Sequence, residues 1–167
     1  MKIHVLRHGV AVEPGTPGYE NDAGRPLIQK GKRQLRQTAA AMKRMGLHFD
    51  LILSSPYLRA KQTAEIVAGS LKLKKQLAFS NALAPDGSPK ILIRQLNESR
   101  PAPENILLVG HEPYLSRVVS LLTTGGMDLM MDFKKGGLCK LDAGKLSPGR
   151  CATLVWLLTP KQMMLMI

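Results

Sequence analysis

The chain has 167 residues, which suits one domain, 1–167, around one core. Its 44% hydrophobic and 22% charged residues are ordinary for a globular protein, and no apolar run reaches the roughly 18 residues of a membrane-spanning helix, so no membrane is expected among its partners. The net charge of +12 fits nucleic-acid binding, attraction of an acidic or phosphorylated ligand, or solubility alone. The basic residues are spread along the chain and aromatics are only 4%, which argues against nucleic acid.

The N-terminus, Met1-Lys2-Ile3-His4-Val5, goes directly into a strand-like run and lacks the layout of a signal peptide. Cys139 and Cys151 lie far from any CxxC or Cys/His spacing. The expectation is a cytoplasmic protein with free thiols and no metal or other cofactor, acting as a monomer.

Strand-like and helix-like segments alternate. The run Ile3 to Leu6 predicts a strand, followed by a long loop from Val12 to Gly24 rich in Gly, Pro and acidic residues, of a length that often carries function. A helix is predicted over 31–45, with Leu35, Ala39 and Met42 on one face and Gly46 at its end. A short strand over 51–53 leads to a helix over 56–71, with Pro56 in its first turn and Tyr57, Ala60, Ala64, Val67 and Leu71 at helical spacing. A short helix is predicted after Ser88, through Leu96. The apolar run 106–109 reads as a parallel strand covered on both faces, and a helix over 112–123 follows, with Leu115, Val118, Val119 and Leu122 inward. Two last strands, 137–141 and 152–158, join through Asp142-Ala143-Gly144. The apolar patch 127–131 and the Met-rich tail after Pro160 are both expected to pack on the core. This order predicts an α/β fold, a three-layer α/β/α sandwich with a mostly parallel sheet.

Three strands end in notable polar residues. The first gives Arg7 and His8, the second runs into a helix whose first turn carries Arg59, and the third runs into Gly110-His111-Glu112-Pro113. If these strands are parallel neighbours, Arg7, His8, Arg59 and His111 converge on one sheet edge with two helix N-termini, where anions are favoured. Arginine grips phosphate with a planar fork, and histidine can take a phosphoryl group covalently. Each residue also has a plainer alternative: a solvated helix position for Arg59, a backbone-satisfied cap for His111, a carboxylate partner for Arg7.

Leu-Arg-His-Gly at 6–9, Ser-Ser-Pro-Tyr-Leu-Arg-Ala-Lys-Gln-Thr-Ala at 54–64 and Val-Gly-His-Glu-Pro at 109–113 resemble, in order and spacing, the motifs of the histidine phosphatase superfamily. With Arg25-Pro26-Leu27 before the first helix and the tail 156–167, the chain looks most like the SixA-type phosphohistidine phosphatases. The resemblance implies a phosphoglycerate mutase-like fold and a metal-independent phosphatase, with His8 as nucleophile and Arg7, Arg59 and His111 holding the phosphoryl oxygens. It implies a phosphorylated protein as substrate and inorganic phosphate as product or inhibitor. Nearby arginines should depress the pKa of His8, which must be neutral to attack. Arg25 either reaches the pocket mouth, as the resemblance implies, or pairs with Asp22 or Glu20. Ile28 departs from the family pattern, which often has Thr there as a helix cap.

Phosphoester-cleaving members of that family generally place a Glu or Asp after the middle strand to protonate an alkoxide. The region here, 80–87, has no Glu, and Asp86 is its only acid. A phosphoramidate needs less help because imidazole leaves readily. The expected function is therefore a phosphohistidine phosphatase, with a small-molecule phosphomonoesterase using Asp86, or a binding module without turnover, as the competing readings.

Overall fold

β1 (Lys2–Arg7) lies near the middle of a six-stranded sheet, hydrogen-bonded on one side to β4 (Asn105–Gly110) and on the other to β5 (Leu138–Ala143). β2 (Leu51–Ser54) lies beyond β4, with β3 (Leu77–Phe79) at that edge, and β6 (Ala152–Leu158) closes the opposite edge. β3, β2, β4 and β1 run parallel, whereas β5 pairs antiparallel with both β1 and β6. The computed structural model describes residues 1–167.

Five helices complete three layers. α1 (Gln29–Arg44), α2 (Leu58–Ser70) and α5 (Pro160–Met164) cover one face; Ala39, Met42, Ala60, Ala64, Val67 and Met163 pack there on Leu6, Leu107 and Val109. α3 (Pro89–Glu98) and α4 (Tyr114–Thr124) cover the other; Leu92, Leu96, Leu115, Val118 and Val119 meet Ile3, Val5, Ile106 and Leu108. The alternation of β1 and β4 side chains between two apolar layers is why β4 reads as an unbroken hydrophobic run and β1 as one broken only by His4. No helix is long and apolar enough to cross a membrane.

The expected α/β/α sandwich is present, with local differences. α2 starts at Leu58, so Pro56 lies ahead of the helix and Tyr57 and Leu71 flank it, half-buried, rather than facing inward from within it. α4 starts at Tyr114, not residue 112. α1 starts at Gln29, and Ile28 makes no side-chain cap; the Ile28 N–H instead donates to the Val10 carbonyl at 3.1 Å. β5 extends through Ala143, so Asp142 and Ala143 belong to the strand and not to the connection. The patch 127–131 does not pack on the core: Met130 is 93% exposed, and only Met131 touches the cluster under α4. In the tail Met163 is buried, whereas Leu165, Met166 and Ile167 are exposed. Sequence periodicity missed β3, which has three residues and two exposed positions, and α5. α5 did carry a signal, the capping box Thr159-x-x-Gln162, whose reciprocal bonds both form.

Candidate active site

Register brings the site together. Arg7 pairs with Gly110 and Ser54 with Val109, so the three central strands end level. One residue further, the His8 N–H donates to the Gly110 carbonyl at 3.0 Å and the Ser55 N–H to the Val109 carbonyl at 2.9 Å. The strands are parallel neighbours, and Arg7, His8, Arg59 and His111 do converge at their carboxyl ends. Neither α2 nor α4, which begin here, has a side-chain N-cap.

His8 is 7% exposed. Its Nδ1 lies 2.7 Å from the Gly9 carbonyl, an acceptor only, which assigns the proton to Nδ1 and leaves a lone pair on Nε2. Arg59 Nε donates to that Nε2 at 3.3 Å. Thr63 ties the two elements together: its Oγ1 accepts from the Gly9 N–H at 3.1 Å and donates to the Arg59 carbonyl at 2.7 Å. Gly9 is needed for packing, because a Cβ there would stand 2.6 Å from the Leu35 side chain of α1. Its role is close approach of helix to strand end.

His111 is 1% exposed, and its ring centroid lies 5.2 Å from that of His8. Its Nε2 and the Ser55 hydroxyl are 2.8 Å apart, and the Ser55 oxygen also accepts from the Tyr57 N–H at 3.3 Å. When Ser55 donates to Nε2, Nδ1 carries the proton, and that nitrogen has no partner within the protein. The backbone of His111, not its side chain, serves α4, accepting from the Leu115 N–H at 2.9 Å. Tyr57 stands edge-on to His111 with centroids 5.4 Å apart, and the Arg59 guanidinium lies 5.5 Å from the same tyrosine ring. Arg7 Nη1 donates to the Phe133 carbonyl at 2.6 Å, while its buried Nε makes no hydrogen bond within the protein. Arg7 Nε and, in that tautomer, His111 Nδ1 are thus buried N–H donors with no partner within the protein.

Arg25 pairs with Asp22, as one of the two sequence readings held: Nε and Nη2 donate to Oδ1 at 2.8 and 2.5 Å, and Nη1 donates to the Val12 carbonyl at 2.5 Å. Glu20 takes the Gly18 N–H instead. Asp22 itself reaches the cluster. Its Oδ2 accepts from Arg59 Nη2 at 2.9 Å and its carbonyl from Arg59 Nη1 at 2.7 Å. Arg25 therefore touches the four residues only through Asp22. Asp86 makes no hydrogen bond or ion pair with any of them; it lines a neighbouring cleft of about 430 Å³ with Tyr57, Asn81 and Ile91.

Burial pushes His8 and His111 down to about 3, with His111, Arg59 and Arg7 adding to the shift at His8 and Arg59, Arg25 and Arg7 at His111. Both are neutral at pH 7. The arginines lower His8 as expected, but loss of water around the ring is the larger cause. Burial alone would raise the Asp22 carboxyl; hydrogen bonds from Arg25 and Arg59 outweigh it and hold Asp22 below the ordinary range.

Asp22, Ser55, Tyr57 and Thr63 are the members whose roles the sequence did not disclose. The last three lie inside the 54–64 motif; Asp22 had one signal, its position three residues before Arg25. No group of three or more His, Cys, Asp or Glu side chains is placed to hold a metal ion. A larger cavity of about 690 Å³ lies elsewhere, among Asp50 and residues 99–105, and contains none of these residues. There Asp50 Oδ2 is committed to the Glu104 and Asn105 N–H groups at 3.0 and 2.8 Å.

Comparison with known proteins agrees with this geometry. The model of the histidine phosphatase superfamily (branch 1) matches residues 3–82. An uncharacterised protein of Picosynechococcus sp. is 35% identical over 145 residues, covering 86% of each chain. The phosphohistidine phosphatase SixA of Escherichia coli is 28% identical over 126 residues, 75% of this chain and 76% of that protein. A solved structure of the protein histidine phosphatase SixA complexed with tungstate superposes with a TM-score of 0.82 at 25% identity, covering 96% of this chain and 98% of that one.

Proposed function

This chain belongs to the histidine phosphatase superfamily (branch 1), and from that premise we propose that it is a phosphohistidine phosphatase acting on a histidine-phosphorylated protein through a covalent intermediate on His8. His8 Nε2 attacks phosphorus while the bond from phosphorus to the substrate imidazole breaks. A substrate ring already protonated on its other nitrogen leaves as neutral imidazole. Arg7, Arg59 and the His111 Nδ1–H hold the equatorial oxygens, where charge spreads in the transition state, so these guanidinium groups need no metal ion to assist them. Water then attacks phospho-His8, releasing phosphate and restoring the Nε2 lone pair. The free thiols of Cys139 and Cys151 support a reducing, cytoplasmic setting.

One observation carries the choice of substrate. The carboxylate that touches the arginines, Asp22, is bonded by Arg25 and Arg59 and held ionised, so it has no proton to give an alkoxide. A leaving imidazole needs none. The test is a side-by-side rate measurement on a phosphohistidine protein and on glycerol phosphate, with wild type and Asp86→Asn. General acid help is worth about 10² to 10⁴ in rate, and the alkyl phosphate should be slower by that order. Asp86→Asn should change the phosphohistidine rate only about two- to threefold, far less than loss of a general acid. Efficient glycerol phosphate hydrolysis that collapses in Asp86→Asn would make Asp86 the acid and the protein a metabolite phosphatase.

A further inference from the structure

A cleft of about 490 Å³ adjoins the candidate site at Arg7, which lines it. Lys134 and Lys135 line one side and Lys161 the other, with Gln34 and Asp132 between. The two lysines that precede β5 sit on a turn fastened to the catalytic strand end. The Gly136 N–H donates to the carbonyls of Arg7 and His8 at 3.1 and 3.0 Å, and the Arg7 N–H donates back to Gly137 at 3.1 Å. Phe133, fully buried, anchors the same turn from below. On the far side the Thr159–Gln162 capping box fixes the start of α5 and with it Lys161.

The ion pairs in and around this cleft are exposed. Lys134 meets Asp132 at 2.7 Å and Lys135 meets Glu13 at 3.2 Å, with the two carboxylate side chains 74% and 69% exposed. Exposed pairs of this kind contribute little to stability, so the lysines can exchange them for other carboxylates at little cost. Arg7, Lys134, Lys135 and Lys161 make four of the nine lining residues cationic, with Val10 and Pro160 beside their aliphatic stems. The lining suits charged groups on a large partner.

Resting on the reading of the active site as a phosphohistidine phosphatase, we propose that this cleft is a docking surface for glutamate and aspartate side chains that flank the phosphohistidine on the substrate protein. Arg7 would then mark the boundary between phosphoryl recognition and partner recognition. The 24 lysines and arginines against 12 acidic residues give the whole molecule the complementary field. Charged rims of this type set association rate and partner choice more than turnover.

The experiment uses two synthetic peptides, each with one phosphohistidine introduced by phosphoramidate, flanked in one by glutamates and in the other by glutamines. Wild type is compared with Lys134→Glu/Lys135→Glu/Lys161→Glu and with the milder Lys134→Gln/Lys135→Gln/Lys161→Gln. On the glutamate peptide kcat/KM should fall about tenfold or more in the charge-reversed variant, with the neutral variant between, at the lower end of electrostatic steering. The salt dependence of that rate should flatten. Rates on the glutamine peptide and on phosphoramidate itself should stay within about twofold, since removing rim charges leaves chemistry unchanged. Equal losses on both peptides, or none on the glutamate peptide, would overturn the docking surface. Fluorescence anisotropy with the unphosphorylated peptides tests the cleft without chemistry: the wild type should prefer the glutamate peptide and both variants should lose that preference. Failure of the wild type to turn over either phosphopeptide would instead sink the phosphohistidine reading, with the anisotropy result still deciding the cleft.

Discussion

Asp22 occupies two of the three nitrogens of Arg59: its carboxylate accepts from Nη2 at 2.9 Å and its own backbone carbonyl from Nη1 at 2.7 Å, while the third nitrogen, Nε, faces His8. The edge of Arg59 that a phosphate would grip is held by an anion from the loop between Val12 and Gly24. The loop that read as functional from its length alone delivers a carboxylate to the site.

Asp22 and phosphate therefore compete for the same fork. Asp22→Asn keeps the shape and removes the charge. The competitive inhibition constant of inorganic phosphate should drop about fivefold, the equivalent of ~1 kcal/mol for a partly exposed ion pair. Weaker phosphate binding in Asp22→Asn would show that Asp22 mainly holds Arg59 in place.

In the proposed mechanism His8 is the nucleophile, its Nε2 facing Arg59 Nε while the Nε2 of His111 accepts from Ser55. His8→Ala should abolish turnover, and a rapid alkaline quench of wild type with labelled substrate should leave phosphate on His8. Label recovered on His111, whose Nε2 is committed to Ser55, would reverse the two roles.

In the proposed mechanism Arg7 and Arg59 act through preorganised N–H donors. Each alanine variant should lose on the order of 10² to 10³ in kcat, the usual scale for one such donor. Arg59→Lys should recover little, because an ammonium cannot face His8 and grip phosphate with one planar group. The activity should survive EDTA; loss on chelation and return with a divalent ion would contradict the role given to the guanidinium groups.

Acid stability has a predicted shape. His4 is buried between Phe49 and Trp156, with ring centroids 5.2 and 5.7 Å away, and neither ring nitrogen has a hydrogen-bond partner. Burial first, then Lys140, lowers it to about 4, and His8 and His111 fall to about 3. Between those values and the ordinary 6.5, the unfolded chain binds protons that the folded chain refuses, so stability rises with pH across that window. Urea melts should show a midpoint that falls progressively from pH 6.5 to pH 4. His4→Phe should shrink that fall without touching turnover at pH 7; an unchanged acid limb would mean that His4 is protonated in the folded state.

The fold class was legible because the pattern is strong where burial is complete. Ile106 to Val109 is apolar on both faces and Ile3 to Leu6 is interrupted only by the buried His4, and Leu35, Ala39 and Met42, or Leu115, Val118 and Leu122, mark helix faces that do pack inward. The patch 127–131 misled because hydrophobicity alone does not say whether a chain segment has a surface to pack against. β3 was silent because a three-residue edge strand carries no period.

For the site, the sequence by itself determined which groups stand at strand ends: Arg7, His8, Arg59 and His111 each follow an apolar run or open the helix after one, and backbone geometry fixes where a strand's last residue lies. Whether those ends are neighbours is a matter of pairing order and register, set by contacts between residues far apart in the chain, Arg7 with Gly110 and Ser54 with Val109. The tertiary structure alone decided that burial rather than the arginines dominates the depressed pKa of His8, since loss of water is a property of the whole surrounding shell. It also decided that Arg25 reaches the site only through Asp22, because a loop conformation between Val12 and Gly24 has no periodicity from which a side chain's destination can be read.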